Sequence, residues 1–396
     1  MSVESDSSRA IGEALDALSA DLDGHTPDLV CAFATHHHGP KLEDLGPRLA
    51  RATGSPIVFG CTAENVIGRG REVEGEPGLS VWAASLPNTD VRYFEISAAQ
   101  KKEGELELSG LPPIGEHERS SVLLTADPYT FPIDPFLHDF NERFPGVPVM
   151  GGMASGTMGP GQTLFFTADG VRESGCVGVV LEGAIQLCPV VSQGCRPVGK
   201  PWVITDCEDN QIHKLGGRPA LEVLMETWNQ LSEADQKLMQ QAPFLGLAID
   251  PTRAHFQRGD FLVRLIMNLR QRDRTIAVAD FVRRGQTVQL LVRDAESAGE
   301  DLRFLLGTQG GGTLAQTDPH SAGALIFSCN GRGSRMFKTP DHDTNCIRDG
   351  LSMDVPVAGF FAAGEIGPVG GRNFLHGFTA SVALFRPTED NESSTQ

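Results

Sequence analysis

The densest group of chemically versatile side chains lies near the carboxyl end of the sequence. Glycines bracket Glu365, Arg372, Asn373 and His376 within residues 364–379. Glycine lets backbone N–H groups converge on a ligand, or lets two chain segments approach closely. Arg372 offers a planar fork for a carboxylate, Asn373 a donor and an acceptor, and His376 a titratable ring. The run predicts either a polar pocket or a tight hairpin closed by a Glu365–Arg372 ion pair.

A second polar loop follows the apolar run that ends at Cys329, and a third polar segment begins at Pro340. Ligands of mixed α/β sheets tend to lie at the carboxyl ends of strands, so we expect these loops to contribute to one pocket. A carboxylate-bearing ligand suits guanidinium geometry. The predicted ligand-binding residues are Asn330, Arg332, Asp341, His342, Glu365, Arg372, Asn373 and His376.

Cysteines at strand ends give an alternative reading as an enzyme. Cys61, Cys195 and Cys329 each end an apolar run beside glycine, asparagine or arginine, where a nucleophile could stand. An enzyme would use Cys329 or Cys61, with His342 or His376 as its base. The other interpretation is an inert buried thiol. No Gly-x-Ser-x-Gly motif is present. If the protein is an enzyme, Cys329, His342 and His376 are the candidates, although a non-enzyme is favoured.

Neither a metal nor a nucleotide cofactor is predicted. Adjacent histidines at 36–38 point to alternate faces of an extended chain, and Asp341 to Asp343 with Cys346 lack a matching ligand motif. Residues 194–200 have the spacing of a phosphate-binding loop, but Pro201 stands where a magnesium-binding hydroxyl is needed.

Three segments repeat one pattern of proline, apolar residues, glycine and alanine. They begin at Pro56, Pro148 and Pro356, and each follows an apolar run and a helix-compatible stretch. The repeating unit is strand, helix, strand, with a further strand after it. The sequence therefore predicts an α/β fold whose mixed β-sheets are covered by helices.

Pattern changes along the chain predict two domains with short extensions. Residues 244–292 offer four short strands that resemble a meander, unlike the repeats before and after them. We place a leading amphipathic helix at residues 1–24, an amino-terminal domain at 25–215, a carboxyl-terminal domain at 216–386 and a polar tail at 387–396.

Composition excludes several classes of protein. The 396 residues carry a formal net charge of −18, without a basic cluster that would neutralise nucleic-acid phosphates. No stretch approaches the roughly 18 apolar residues of a membrane span. The eight cysteines include no C-x-x-C pair and lie mostly in apolar runs. A soluble protein of the reducing cytoplasm follows, with no nucleic-acid partner and no membrane insertion.

From about Asp28 to Arg386 the sequence resembles the FIST family, named for F-box and intracellular signal transduction proteins. The resemblance rests on segments 60–64, 151–155, 191–199, 292–295, 328–333, 340–343, 359–368 and 375–379. It implies a two-part sensory module that binds a small ligand such as an amino acid, and it carries over no catalytic residues. Because the chain has neither an F-box nor a fused output domain, the resemblance implies a signalling-protein partner. A protein-recruiting scaffold without ligand is the remaining alternative.

Overall fold

The computed structural model describes residues 1–100, 106–111, 113–115, 119–251, 253, 256, 259–309 and 322–387. The chain forms two compact units. Unit 1 consists of residues 1–191, 302–375 and those from 379 onward, and unit 2 of residues 192–301 and 376–378. Both contain β-sheet with helices, so the predicted α/β fold in two domains is confirmed. The domain bounds drawn from the sequence stay a prediction.

Unit 1 contains the strand–helix–strand unit three times, at the places where the sequence pattern repeats. In each repeat, the strands before and after the helix pair in parallel. Repeat 1 has β1 (Leu29–Thr35), α2 (Leu45–Thr53) and β2 (Val58–Ala63). Repeat 2 has β8 (Ser120–Ala126), α3 (Ile133–Arg143) and β9 (Val149–Met153). Repeat 3 has β21 (Gly323–Cys329), α7 (His342–Leu351) and β22 (Val357–Ala362).

The repeated glycine has a steric reason that is the same in all three repeats. A Cβ at Gly60, Gly151 or Gly359 would lie 1.8–1.9 Å from a carbonyl oxygen of the paired first strand. No side chain fits at that distance, so each position accepts only glycine. The glycine therefore marks close contact between two parallel strands.

The three repeats exchange hairpins in a closed cycle. The hairpin after β2 pairs with β22, the hairpin after β22 pairs with β9, and the hairpin after β9 pairs with β2. These hairpins are β3 (Val66–Gly68) with β4 (Arg71–Val73), β10 (Phe165–Thr167) with β11 (Gly170–Arg172), and β23 (Gly364–Val369) with β24 (Arg372–His376).

Each sheet consequently has the same central order of strands. Each order runs from a hairpin contributed by another repeat, through the second and first strands of the repeat, to a closing strand. It is β11-β10-β2-β1-β5 for repeat 1, β24-β23-β9-β8-β12 for repeat 2 and β4-β3-β22-β21-β25 for repeat 3. The strands that close and extend the sheets are β5 (Leu79–Ala84), β6 (Thr89–Gln100), β7 (Leu106–Ser109), β12 (Cys176–Gly183), β13 (Ile185–Gln193) and β25 (Thr379–Pro387).

One central core joins the three sheets. Phe33, Leu123 and Phe327, one from each first strand, are fully buried in a single apolar cluster. The opposite face of each sheet packs in a separate apolar cluster, and those of repeats 2 and 3 include side chains of α3 and α7. The leading helix α1 (Ser7–Leu22) is capped by Asp6, whose side chain accepts the Arg9 N–H, and packs in the cluster of repeat 1.

Unit 2 contains a closed ring of antiparallel strands. The ring runs β14 (Cys195–Glu208), β20 (Thr287–Arg293), β17 (Phe244–Ala248), β18 (Phe261–Arg270), β19 (Thr275–Val278) and β15 (Gln211–Leu215), and returns to β14. The predicted meander holds for β17 to β19, but β20 returns beside β17 because it must close the ring. The other elements of this part are β16 (Arg218–Pro219), α4 (Ala220–Gln230) and α5 (Glu233–Gln241), whereas α6 (Ala295–Gln309) begins in unit 2 and ends in unit 1.

Candidate functional site

The candidate site lies in unit 1, where the chain leaves β21. Every residue of β21 up to Ser328 is buried, and a tight turn follows in which the Arg332 N–H donates to the Cys329 carbonyl over 2.7 Å. This turn sends the Arg332 side chain into the protein, where it has no exposed surface. The sequence predicted a polar loop here, and the structure shows that its cation is internal.

Arg332 makes a two-pronged ion pair with Asp343 in the first turn of α7. Its Nε lies 2.8 Å from Oδ2 and its Nη2 2.7 Å from Oδ1, and both side chains are fully buried. Burial alone would raise the pKa of Asp343, but the Arg332 charge and its hydrogen bonds hold that pKa well below the usual value. The carboxylate therefore stays ionised inside the protein.

Two further groups fix the Asp343 carboxylate. The Ser328 hydroxyl donates to Oδ2 over 2.7 Å, and His342 Nδ1 lies 2.8 Å from Oδ1. The His342 ring stacks on Phe337 with centroids 3.4 Å apart, and the Arg332 guanidinium carbon lies 5.1 Å from the same phenyl ring. These contacts leave Nη1 of Arg332 without a hydrogen-bond partner among the described residues.

A second buried carboxyl belongs to Glu365 on β23. Its backbone pairs with Gly152 of repeat 2, and its Oε2 accepts the Thr379 N–H over 3.1 Å. Burial raises the pKa of Glu365 to about 8, and the Thr379 N–H, the Cys329 thiol and the Arg332 charge only partly oppose this. Within the described chain, Oε1 has no hydrogen-bond partner. Glu365 is therefore poised to exchange a proton near neutral pH.

Glu72 on β4 is a further site residue. Its Oε1 accepts the N–H groups of Asp343 and Thr344 over 2.6 and 3.1 Å, at the amino end of α7. In return the Glu72 N–H donates to Oδ1 of Asp341 over 2.7 Å. Burial, and then the Asp343 charge, raise the pKa of Glu72 to about 8. Glu72, Asp343 and Ser328 were missing from the predicted set.

The predicted residues divide into two groups. Arg332, His342 and Glu365 belong to the buried cluster, Asp341 adjoins it through Glu72, and the Asn330 N–H donates to the Ala362 carbonyl beside it. Asn330 Oδ1 is buried and, among the described residues, has no hydrogen-bond partner.

Arg372, Asn373 and His376 do not join that cluster in the same way. Exposed Arg372 pairs with Glu142 on α3 at 2.7 Å, so the expected Glu365–Arg372 ion pair does not form. Asn373 is buried in a reciprocal amide pair with Asn141 and therefore fastens β24 to α3. His376 is buried and falls in unit 2.

The cysteines differ in how far they suit nucleophilic chemistry. Cys346 Sγ lies 3.7 Å from His342 Nε2, and the other ring nitrogen of His342 contacts Asp343. The three side chains therefore form a Cys–His–Asp series of contacts. Burial, then the Asp343 charge, raise the Cys346 pKa to about 12, and burial raises the pKa of Cys61 further. Cys329 is half-buried and remains the most accessible thiol of the candidate site. The described residues contain no cluster of three or more potential metal ligands.

Sequence comparison defines the class of protein to which this fold and site belong. Residues 28–218 match the FIST N domain model and residues 220–368 match the FIST C domain model. The chain belongs to the FIST family, as its motifs indicated, and FIST domains are sensory domains associated with signal transduction.

The chain is also similar to mycobacterial proteins along nearly its whole length. It is 37% identical to uncharacterized protein Mb0898c of Mycobacterium bovis, over 96% of each chain. It is also 37% identical to uncharacterized protein Rv0628c of Mycobacterium tuberculosis, over 97% of this chain and 98% of the relative. Among the described residues, no helix is long and apolar enough to cross a membrane.

Proposed function

We propose that the protein is a cytoplasmic sensor that binds a free amino acid or a related carboxylate at the Arg332–Glu365 cluster. One observation carries the proposal: Arg332 Nη1 and Glu365 Oε1 are completely buried, and neither has a hydrogen-bond partner in the described chain. An unsatisfied buried polar group costs about 1–3 kcal/mol, and more when it is charged. A ligand that satisfies both atoms would recover that free energy.

An amino acid has the complementary groups. Its carboxylate would accept a hydrogen bond from Arg332 Nη1, the one prong that Asp343 does not occupy. Its ammonium would donate to Glu365 Oε1 and to Asn330 Oδ1, which is also buried without a partner in the described chain. His342 and Asp341 act indirectly, because they hold Asp343 and Glu72 in place. A buried water molecule is the competing occupant.

Ligand binding would be reported through a partner protein. The membership of the chain in a family of signalling-associated sensory domains supports this step. The ligand-binding roles predicted for Arg372 and His376 are not part of the proposed site. Arg372 is engaged with Glu142, so its substitution is used only as a test of the proposal.

A thermal-shift screen tests the proposal. The panel contains L-amino acids, the matching N-acetyl amino acids, which lack the ammonium, and 2-hydroxy acids. A ligand at 100 times its dissociation constant stabilises the folded state by about 2.7 kcal/mol. We expect stabilisation by one or more free amino acids, weaker effects of the acetylated forms, and a weaker effect in Glu365→Gln, whose amide oxygen accepts a hydrogen bond but carries no charge.

Arg372→Ala is the matched control, because it removes an arginine outside the cluster and should retain the response. No stabilisation of the wild type by any member of the panel would refute the proposal. A response in Glu365→Gln equal to that of the wild type would mean that the ligand binds at another site.

A further inference from the structure

Acidic side chains of another repeat bind the segment of chain that follows Arg332. Residues 333–344, here the covering segment, follow Arg332 directly, include Asp343 itself and contain Phe337, which contacts the guanidinium. Residues 64–74, here the acidic hairpin, belong to repeat 1 and contain β3 and β4. The acidic hairpin and the covering segment are far apart in sequence and adjacent in the structure.

Three carboxylates of the acidic hairpin bind donors of repeat 3. Glu74 accepts the Ser334 N–H at 2.8 Å and the Ser334 hydroxyl at 2.7 Å. Glu72 accepts the N–H groups at the start of α7, as described above. Glu64 forms an ion pair with Arg335 at 2.5 Å. The donors include backbone amides and a guanidinium, which are the groups that recognise anions in protein sites.

The attachment is polar and lies partly at the surface. Ser334 and Arg335 are exposed, and Glu74 and Glu64 are only half-buried. Exposed ion pairs contribute little stability, typically below about 1 kcal/mol. The inner pair, Arg332 with Asp343, has no exposed surface at all. The contacts of Glu64 and Glu74 are therefore weaker than the buried ion pair.

We propose that the covering segment separates from the acidic hairpin in one cooperative step, and that this local opening admits small ligands to Arg332. The use of the opening by a ligand rests on the function proposed above, whereas the opening itself does not. Local opening at a free energy below that of global unfolding is a general property of folded chains. Here its boundary is defined by Glu64, Glu72 and Glu74.

Hydrogen exchange of the full-length protein, without ligand, tests the opening. Glu74→Ala removes the two hydrogen bonds to Ser334 and leaves the hydrogen bonds of Glu72 and Glu64 to repeat 3 in place. If the unit is cooperative, the Asp343 and Thr344 amides, which bind Glu72, should nevertheless exchange about tenfold faster, as expected for loss of a charged hydrogen bond. Glu76→Ala is the matched control, because Glu76 is an exposed carboxylate just beyond the hairpin. It should leave both amides unchanged.

Two results would overturn the proposal. Faster exchange at Ser334 alone would mean that the contacts open independently. An equal acceleration in the buried strand β21 would mean global unfolding. A separate measurement uses the free amino acids and 2-hydroxy acids of the thermal-shift panel as probes, and Glu74→Ala should raise the association rate of any that binds. If none binds to either protein, the proposed function fails, while the exchange result still decides whether the unit opens.

Discussion

Arg332 and Asp343 form a two-pronged ion pair with no solvent exposure on either side chain. Eleven positions apart in sequence, they join the end of β21 to the first turn of α7. A buried pair of this kind has a large desolvation cost that only good geometry and further hydrogen bonds offset. Ser328 and His342 supply those bonds, so the pair fixes the shape of the site.

Removing one partner of this pair should be far more harmful than removing an exposed pair. Asp343→Asn leaves the Arg332 charge buried, and we expect a loss of about 3–5 kcal/mol in the free energy of unfolding. Glu142→Gln breaks the exposed pair with Arg372 and should cost less than about 1 kcal/mol. Urea unfolding followed by circular dichroism measures both. Similar losses in the two variants would contradict the prediction.

Stability should fall as the pH rises from 4.5 to about 8. Glu72 and Glu365 have pKa values raised from 4.5 to about 8 in the folded chain, because burial favours the protonated carboxyl. The folded state therefore binds protons that the unfolded state has released, so the stabilisation is complete below pH 4.5 and lost through pH 8. Each group contributes up to about 1.4 kcal/mol per pH unit.

Glu365→Gln should make that dependence less steep, because the amide does not titrate while Glu72 still does. The melting temperature at several pH values between 5 and 8 provides the measurement. Glu76→Gln, at an exposed carboxylate, should leave the slope unchanged. A slope in Glu365→Gln as steep as that of the wild type would show that Glu365 does not hold a proton in this range.

The three equivalent glycines should tolerate no side chain. Gly60→Ala, Gly151→Ala and Gly359→Ala each place a Cβ within 1.9 Å of a carbonyl oxygen, so the paired strands must move apart. We expect each variant to lose more than about 3 kcal/mol of stability or to be insoluble. Gly12→Ala is the control, because its Cβ meets nothing within 4 Å, and on helix α1 it should stabilise by up to about 1 kcal/mol.

Thiol labelling of the native protein should be confined to Cys207 and Cys329, the two half-buried cysteines. Burial raises the pKa of Cys31, Cys61 and Cys176, so these thiols are both inaccessible and protonated. Mass spectrometry after brief alkylation identifies the labelled sites. Rapid labelling of Cys61 or Cys346 would support a role for that residue as the nucleophile of an enzyme. Rapid labelling of Cys329 that rises steeply with pH would define an ordinary, unactivated thiol.

The repeat pattern predicted the fold well, because each strand–helix–strand unit is local in sequence. The glycines at 60, 151 and 359 were visible as a period, and their steric role followed once parallel pairing was known. The exchange of hairpins was not predicted, because nothing in residues 66–73 shows that they pair with β22.

The sequence indicated those residues of the candidate site that lie close together along the chain. Arg332, His342 and Asp341 lie in short polar runs after one strand, and the runs marked them. Glu72 reaches the site from 271 positions away, and no local pattern shows such a contact. Arg372 was grouped with Glu365 because they are neighbours in sequence, whereas the structure pairs it with Glu142.

The cyclic exchange of hairpins limits which parts of unit 1 can fold alone. A single repeat expressed by itself would lack the strand that a neighbouring repeat contributes to its sheet, and its own hairpin would have no sheet to join. Three identical copies could satisfy one another in a closed ring, whereas one copy or two could not. The three repeats of unit 1 are therefore connected as the subunits of a closed cyclic trimer would be, but within one chain.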